Sequence, residues 1–138
     1  MSIVQTQTTS FKKELYTAVH NLSTDTIKIA LYTGNADLNE DTTVYSATNE
    51  VSGTGYTAGG ETMTGVAISS SGYVAYANWA NVSWTAALTA RCALIYNVTQ
   101  GNKSIAVLDF GSDKTSTTTF TITMPANTST TALIRSSN

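Results

Sequence analysis

The chain has 138 residues, of which 12% are charged, with 7 Lys and Arg against 9 Asp and Glu. This balance leaves no basic patch to neutralise phosphates, so it argues against binding to nucleic acid or to an anionic membrane surface. The sequence holds 26 Thr and 15 Ser but one His, one Cys and one Pro, a composition typical of half-buried β-strands and poor in groups that titrate near neutral pH.

A chain of this length is expected to form one domain that buries roughly two thirds of its unfolded surface, without disulfides or metals. The single cysteine, Cys92, lies in an apolar run and is interpreted as a small buried hydrophobe. The N-terminus lacks the pattern of a secretion signal, and no apolar stretch reaches membrane-spanning length. We therefore expect synthesis in a cytoplasm.

Residues 1–10 are predicted to form an N-terminal arm, and residues 11–138 a single β domain that begins with a helix. Beyond Met1, the arm contains only Ile3 and Val4 as apolar side chains. We hypothesise that the arm extends across a neighbouring subunit with these two residues as anchors. Ordering it costs about 1 to 2 kcal/mol per residue in backbone entropy, so a partner would have to supply the pairing.

One helix follows the arm, because apolar residues recur at the spacing of a single helix face. These residues are Phe11, Leu15, Ala18, Val19 and Leu22. Thr9 or Ser10 is the predicted N-cap, and the polar residues 21–25 end the helix. His20 lies near this end, and we interpret it as structural because the sequence offers no convincing acid–base partner for it.

Beyond Asp25 the apolar period changes to two, and Ile27, Ile29 and Leu31 indicate a strand with one core face and one mixed face. Residues 34–60 form a segment that is longer than a connecting loop usually is, so we expect it to pack on the domain or to contact a partner. Seven strands are predicted, at Thr26–Thr33, Glu61–Ser69, Tyr73–Trp79, Leu88–Asn97, Lys103–Phe110, Thr117–Met124 and Thr131–Arg135. The pattern predicts a mainly β fold, an antiparallel sandwich or barrel of about seven strands with one N-terminal α-helix.

A three-residue hairpin loop at residues 99–101, with Gly101 in the left-handed conformation, fixes a register in which facing residue numbers sum to 200. The predicted pairs are Ile95 with Ile105, Ala93 with Val107, and Arg91 with Asp109. The last would be a cross-strand ion pair. A loop of two or four residues would place Arg91 against Phe110 instead.

Two groups of residues could bind a ligand. Side chains with oxygen ligands alternate as in a calcium loop, at Asn35, Asp37, Asn39 and Asp41. The mid-loop Gly and the closing Glu of a calcium loop are absent. We therefore interpret this segment as a solvated acidic loop, with a bound cation as the alternative. Five aromatic residues could stack on a sugar, or fill the core or a subunit contact. They are Tyr73, Tyr76, Trp79, Trp84 and Tyr96.

A second contact hypothesis places the partner on residues 34–60, where Gly53 and Gly55 would let a partner backbone approach closely beside Tyr56. Together with Ile3 and Val4, these are the predicted partner-binding residues. No catalytic, cofactor-binding or metal-binding residue is predicted, and no cofactor. We expect a protein that is not an enzyme and has no small-molecule substrate.

Four stretches carry a resemblance to a known family. They are SFKKELYTAVHNLSTDTIKIALYT at 10–33, EVSGTGYTAGG at 50–60, TARCALIYN at 89–97 and AVLDFGSDK at 106–114. The chain resembles a family of small virion structural proteins of tailed bacteriophages, including phages of cyanobacteria.

The resemblance implies a capsid decoration, or cement, protein on the outer capsid surface of the virion. Such a protein binds the outside of the major-capsid lattice and holds neighbouring capsomers together. Its partner would be the major capsid protein, and a dimer or trimer on the shell is expected. The alternatives are a tail or fibre-attachment component of the virion and, from a different class, a carbohydrate-binding module.

Overall fold

The protein is a mainly β antiparallel sandwich with one N-terminal α-helix, as the sequence predicts. The computed structural model describes residues 2–137. The elements are β1 (Thr6–Gln7), α1 (Thr9–Tyr16), β2 (Ile27–Tyr32), β3 (Glu61–Thr62), β4 (Ala67–Ser71), β5 (Val74–Asn78), β6 (Val82–Trp84), β7 (Thr89–Asn97), β8 (Lys103–Thr115), β9 (Phe120–Ile122) and β10 (Ile134–Ser136).

Three antiparallel sheets divide these strands. The large sheet has the order β1-β8-β7-β2-β3, the second sheet the order β10-β5-β4, and the third pairs β6 with β9. The main hydrophobic core joins one face of the large sheet to residues of both smaller sheets and to Phe11 of α1. None of the helices among residues 2–137 has the length and apolarity needed to cross a bilayer.

The large sheet is buried on both faces. In β2, Ile29 and Leu31 belong to the main core, as predicted, whereas Ala30 and Tyr32 belong to a second core on the opposite face. The predicted mixed face is confirmed by its half-buried Lys28, and the sequence did not show that Ala30 and Tyr32 on the same face are buried. Residues 34–60, which we call the covering loop, place Ala36 and Leu38 in the second core and Val51 and Tyr56 in the main core.

The helix is shorter than predicted and starts earlier. Its N-cap is Thr8, whose Oγ1 accepts a hydrogen bond from Phe11 N at 3.3 Å, rather than Thr9 or Ser10. The helix ends at Tyr16, and Ala18 takes a left-handed φ of 60°. Leu22, predicted to lie on the helix, packs against the main core from the segment that follows.

The β7–β8 hairpin follows the predicted register only near its turn. Asn97 faces Lys103, and Gly101 has the predicted left-handed φ, at 74°. Beyond a bulge the register shifts by one, so Ile95 faces Ala106 and the predicted pair Ile95–Ile105 is wrong. The extra residue, Ile105, lies on the same core as Ala106, because a bulge lets two consecutive side chains share one face.

The predicted ion pair is nonetheless confirmed, because Arg91 Nη1 contacts Asp109 Oδ1. Cys92 is the residue that faces Asp109, and a second irregularity places residues 110–113 of β8 opposite Arg91. The Arg91 side chain therefore reaches Asp109 diagonally from within a bulge. The predicted pair Ala93–Val107 is shifted as well, since Ala93 faces Leu108.

The predicted strand Glu61–Ser69 is divided into β3 and β4, which belong to different sheets, and two further short strands were not predicted. β6 lies in a run where every second residue is buried, and this alternation over residues 82–90 is visible in the sequence. The sequence of β1 shows no such alternation. Its two polar residues form a strand because they pair with Val107 and Ala106 of β8.

Trp84 of β6 is the largest fully buried side chain, at 2% exposure. Its ring lies 6.1 Å from that of Tyr56 and 6.2 Å from that of Phe120. The indole Nε1 has no hydrogen-bond partner among the described residues. The packing of this ring therefore stabilises the core, whereas its buried N–H does not.

We expect Trp84→Ala to lower the free energy of unfolding by about 3 to 5 kcal/mol, because it leaves a large cavity. Trp84→Phe should cost roughly half of that or less, since it keeps an aromatic ring and removes the unpartnered donor. Urea unfolding followed by circular dichroism measures both. Equal losses for the two variants would contradict the packing described above.

Candidate partner-contact surfaces

The N-terminal segment is paired within the chain. Val4 N donates to Leu38 O at 3.0 Å, Leu38 N donates to Ser2 O at 2.9 Å, and β1 is the edge strand of the large sheet. Ile3 is half-buried against the second core, while Val4 is 39% exposed. The prediction of a free arm with a boundary at residue 10 is therefore wrong for residues 2–10, because β8 and the covering loop supply the pairing expected from a partner. Met1 lies outside the described residues.

The covering loop crosses the large sheet from one strand to another. At one end, Ser104 N at the start of β8 donates to Thr43 O at 2.9 Å. At the other, Val51 N donates to Leu31 O of β2 at 3.0 Å. Between them the Tyr45 ring stacks on Tyr96 of β7, with centroids 4.7 Å apart. The loop thus spans β7 and seals the second core.

Glu50 is the anchor of this loop. Its Oε1 accepts from Tyr45 Oη at 2.6 Å, and its Oε2 accepts from Tyr56 Oη at 2.5 Å and from Gly59 N at 2.8 Å. Tyr56 Oη in turn accepts from Leu31 N of β2 at 3.0 Å. One carboxylate therefore joins three points of the loop to each other and, through Tyr56, to the sheet.

The glycines of the EVSGTGYTAGG stretch let the loop approach the chain's own backbone. A Cβ on Gly60 would lie 1.9 Å from Ile29 O, and one on Gly55 would lie 2.2 Å from Thr85 O. Both residues have positive φ, at 82° and 91°. The expected close approach is therefore made by Gly55, but to its own chain rather than to a partner.

The Tyr56 side chain is also engaged within the chain, at 8% exposure, so it presents no surface to a partner. Gly53 is exposed. Of the predicted partner-binding residues, the Val4 side chain and Gly53 are exposed. The other three, Ile3, Gly55 and Tyr56, pack against other segments of the chain. The role of Val4 and Gly53 in a partner contact stays a prediction.

His20 belongs to a buried polar network rather than to an exposed helix end. The Asp25 carboxylate accepts from Asn97 Nδ2 at 2.8 Å, which fixes the orientation of that amide. Asn97 Nδ2 also donates to His20 Nδ1 at 3.0 Å, so the imidazole carries its proton on Nε2 and donates it to Glu14 Oε1 at 2.9 Å. The network ties α1 to β7, which accounts for the only histidine in structural terms.

The hydrogen bond from Asn97 lowers the pKa of Asp25, and the bond from Asn21 N lowers it further. Burial raises the pKa of the Cys92 thiol to about 11, so Cys92 is protonated at neutral pH and packs in the second core. A protonated buried thiol is a poor nucleophile.

The alternating oxygen donors form turns. Asp37 Oδ1 accepts from Ser2 N and from Asn39 Nδ2, both at 3.1 Å, and Asn39 Oδ1 accepts from Asp41 N at 2.9 Å. Such local bonds explain the spacing of these residues without a ligand. Among residues 2–137, no group of three or more His, Cys, Asp and Glu side chains could hold a metal ion.

The five aromatic residues do not form one exposed platform. Trp79, Trp84 and Tyr96 are buried in the two cores. Tyr73 is 88% exposed at the β4–β5 turn, and none of the ring pairs in the described chain includes it. A flat pair of exposed rings, as carbohydrate stacking needs, is therefore missing from residues 2–137.

An open groove of about 700 Å³ lies between the outer half of β8 and the segment 119–125 that contains β9. No described strand pairs with the groove-side edge of β9, whose only partner in the sheet order is β6. Apolar side chains line the groove, namely Leu108, Phe110, Phe120, Met124 and Leu133. The sequence did not reveal it, because its lining brings together segments that are distant in sequence, from Gln5 to Leu133.

We expect Gly60→Ala to destabilise the protein far more than Gly101→Ala. Both residues have positive φ, but no described atom lies within 4 Å of a Cβ placed on Gly101. The control should lose about 1 kcal/mol from backbone strain alone, whereas Gly60→Ala must also displace the β2 backbone and should lose ~3 kcal/mol or more. Urea unfolding of both variants tests this, and similar losses would refute the close approach.

The tyrosines of the covering loop and its sheet predict an alkaline transition. Burial, followed by the nearby Glu50 carboxylate, raises the pKa of Tyr96 to about 12 and raises those of Tyr32, Tyr45 and Tyr56 further. A tyrosine whose pKa is higher in the folded protein than its unfolded value of about 10 stabilises the fold at pH values below 10. This contribution is lost as the pH rises from about 10 through the folded pKa.

In a spectrophotometric titration we therefore expect these four tyrosines to ionise only as the protein unfolds, and the urea midpoint to fall between pH 10 and pH 12. Tyr96→Phe should reduce the amplitude of this late phase by one tyrosine. Full ionisation at pH 11 without loss of structure would contradict the burial of the cluster.

Searches of protein-family models, of curated proteins and of solved structures find no match to this chain. The resemblance to phage virion proteins therefore stays a prediction from the residues at 10–33, 50–60, 89–97 and 106–114.

Proposed function

We propose that the protein is a virion structural protein of a tailed bacteriophage, a capsid decoration protein that binds the outside of the major-capsid lattice and stabilises contacts between capsomers. It would be made in the host cytoplasm and act on the outer capsid surface. The proposal is supported by the sequence resemblance and, most directly, by the apolar groove along the open edge of β9.

The groove suits an extended peptide segment. A strand laid beside β9 could form main-chain hydrogen bonds with its free edge and place alternate side chains against Phe110 and Leu133. Lys114 is the only charged side chain in the lining, so the fitting segment is largely uncharged. A loop or terminal arm of the major capsid protein is the partner that this chemistry favours.

The chain's polar groups support a passive role. The Glu50 carboxylate, the His20 imidazole and the Asp25 carboxylate all accept or donate bonds that hold loops and helix to the large sheet. The proposal assigns these groups to holding the fold together and gives them no part in a reaction.

A tail or fibre-attachment component remains the alternative within the virion, since the same groove would serve that contact. The number of copies per particle separates the two roles. A decoration protein is present in proportion to the major capsid protein, whereas a tail component is present in a few copies.

We expect Phe110→Ser to weaken binding to purified capsids at least tenfold, or about 1.4 kcal/mol, because it removes the apolar wall of the groove. Tyr16→Ser is the matched control, since it removes an aromatic side chain that is exposed on α1 outside the groove. Co-sedimentation with capsids lacking the protein measures both, and circular dichroism verifies folding. Equal binding of the two variants, or a stoichiometry of a few copies per particle, would refute the proposal.

A further inference from the structure

The outer edge of β4 is an unprotected strand edge. β4 is the last strand in the order β10-β5-β4, and none of the other described strands pairs with its free side. All five of its residues are exposed. Ile68 is 55% exposed within it, and Tyr73, in the turn that follows, is 88% exposed.

This edge lies in the longest uncharged part of the chain. Between Glu61 and Arg91 the sequence contains no Asp, Glu, Lys, Arg or His. Natural proteins commonly block an exposed edge strand with a charge, a proline or a bulge, because an open edge recruits another strand. β4 has none of these, since it pairs with β5 in an unbroken register from Ala67 to Ser71.

We propose that β4 is a self-association surface at which two copies of this chain pair their β4 strands antiparallel about a twofold axis. Ser69 would face Ser69 of the other copy, and Ile68 would face Ser70. The three-stranded sheet would then continue as six strands across the dimer. This goes beyond the proposed function, because the contact would form in the free protein.

The absence of charge favours a second copy over a foreign strand. A twofold axis sets each residue near its own duplicate, so any charge on the edge would face a like charge. Serine hydroxyls both donate and accept, so facing serines are self-complementary. The edge therefore meets the conditions that identical strands impose on each other.

The side chains beside the edge would add to the contact. Ile68 lies at a cleft of about 350 Å³ between α1 and the second sheet, lined also by Leu15 and Ile134. A second copy would cover this cleft and Tyr73, which adds apolar area to the main-chain bonds. β4 shares no residue with the β8–β9 groove, so a dimer would leave the proposed capsid contact open.

The test uses a charge exchange at Ser69 in the full chain. Sedimentation equilibrium should give a dimer for the wild type and should show Kd at least tenfold higher for Ser69→Lys alone and for Ser69→Glu alone. An equimolar mixture of the two variants should restore dimers, because opposite charges then meet on the axis. Thr118→Lys, in an exposed turn between β8 and β9, is the matched control and should dimerise like the wild type.

A monomeric wild type, a Ser69→Lys variant that dimerises normally, or a mixture that stays monomeric would each overturn the inference. If circular dichroism shows that a Ser69 variant is misfolded, Ser70→Lys and Ser70→Glu provide an independent pair. The two Ser70 residues would be diagonal neighbours across the axis, so each single variant should weaken dimerisation and the mixture should restore it, with smaller effects than at Ser69. Capsid binding is measured separately. A dimer that fails to bind capsids would refute the proposed function and leave this inference intact.

Discussion

The Glu50 carboxylate is the interaction on which the architecture depends. It accepts hydrogen bonds from two tyrosine hydroxyls and one backbone N–H of the covering loop. Because a carboxylate only accepts, one side chain satisfies three donors, two of which belong to the buried residues Tyr56 and Gly59. The loop can then remain closed over the second core, and the large sheet can carry apolar residues on both faces.

A sheet that is buried on both faces is common when helices cover it. Here a loop without regular secondary structure covers one face in place of a helix. Main-chain hydrogen bonds attach it to the neighbouring strands, with Thr43 O accepting from β8 and Val51 N donating to β2. Such a cover must lie close to the sheet, which explains the glycines at positions where a Cβ would meet backbone. EVSGTGYTAGG, one of the four stretches that carry the family resemblance, therefore contacts the chain's own backbone.

The surfaces on which the two proposals rest are strand edges and apolar clefts. The β9 edge borders the groove, and the β4 edge is free along its full length. Main-chain edges supply hydrogen bonds without ionic contacts, and apolar side chains beside them supply selectivity.

The sequence by itself determined the fold class, the helix after the N-terminal segment and most strands, because apolar periods of 3.6 and 2 report which side of each element is buried. It also determined the left-handed Gly101, which depends on residues of one turn. The Arg91–Asp109 pair was predicted too, but it forms across two irregularities that shift the predicted register. Only the tertiary structure decided that Tyr32 is buried, that Ile105 bulges, that β1 is part of the sheet and that Tyr56 is held by Glu50. Each of these depends on a segment distant in sequence, and local pattern carries no information about which distant segment will cover or pair with it.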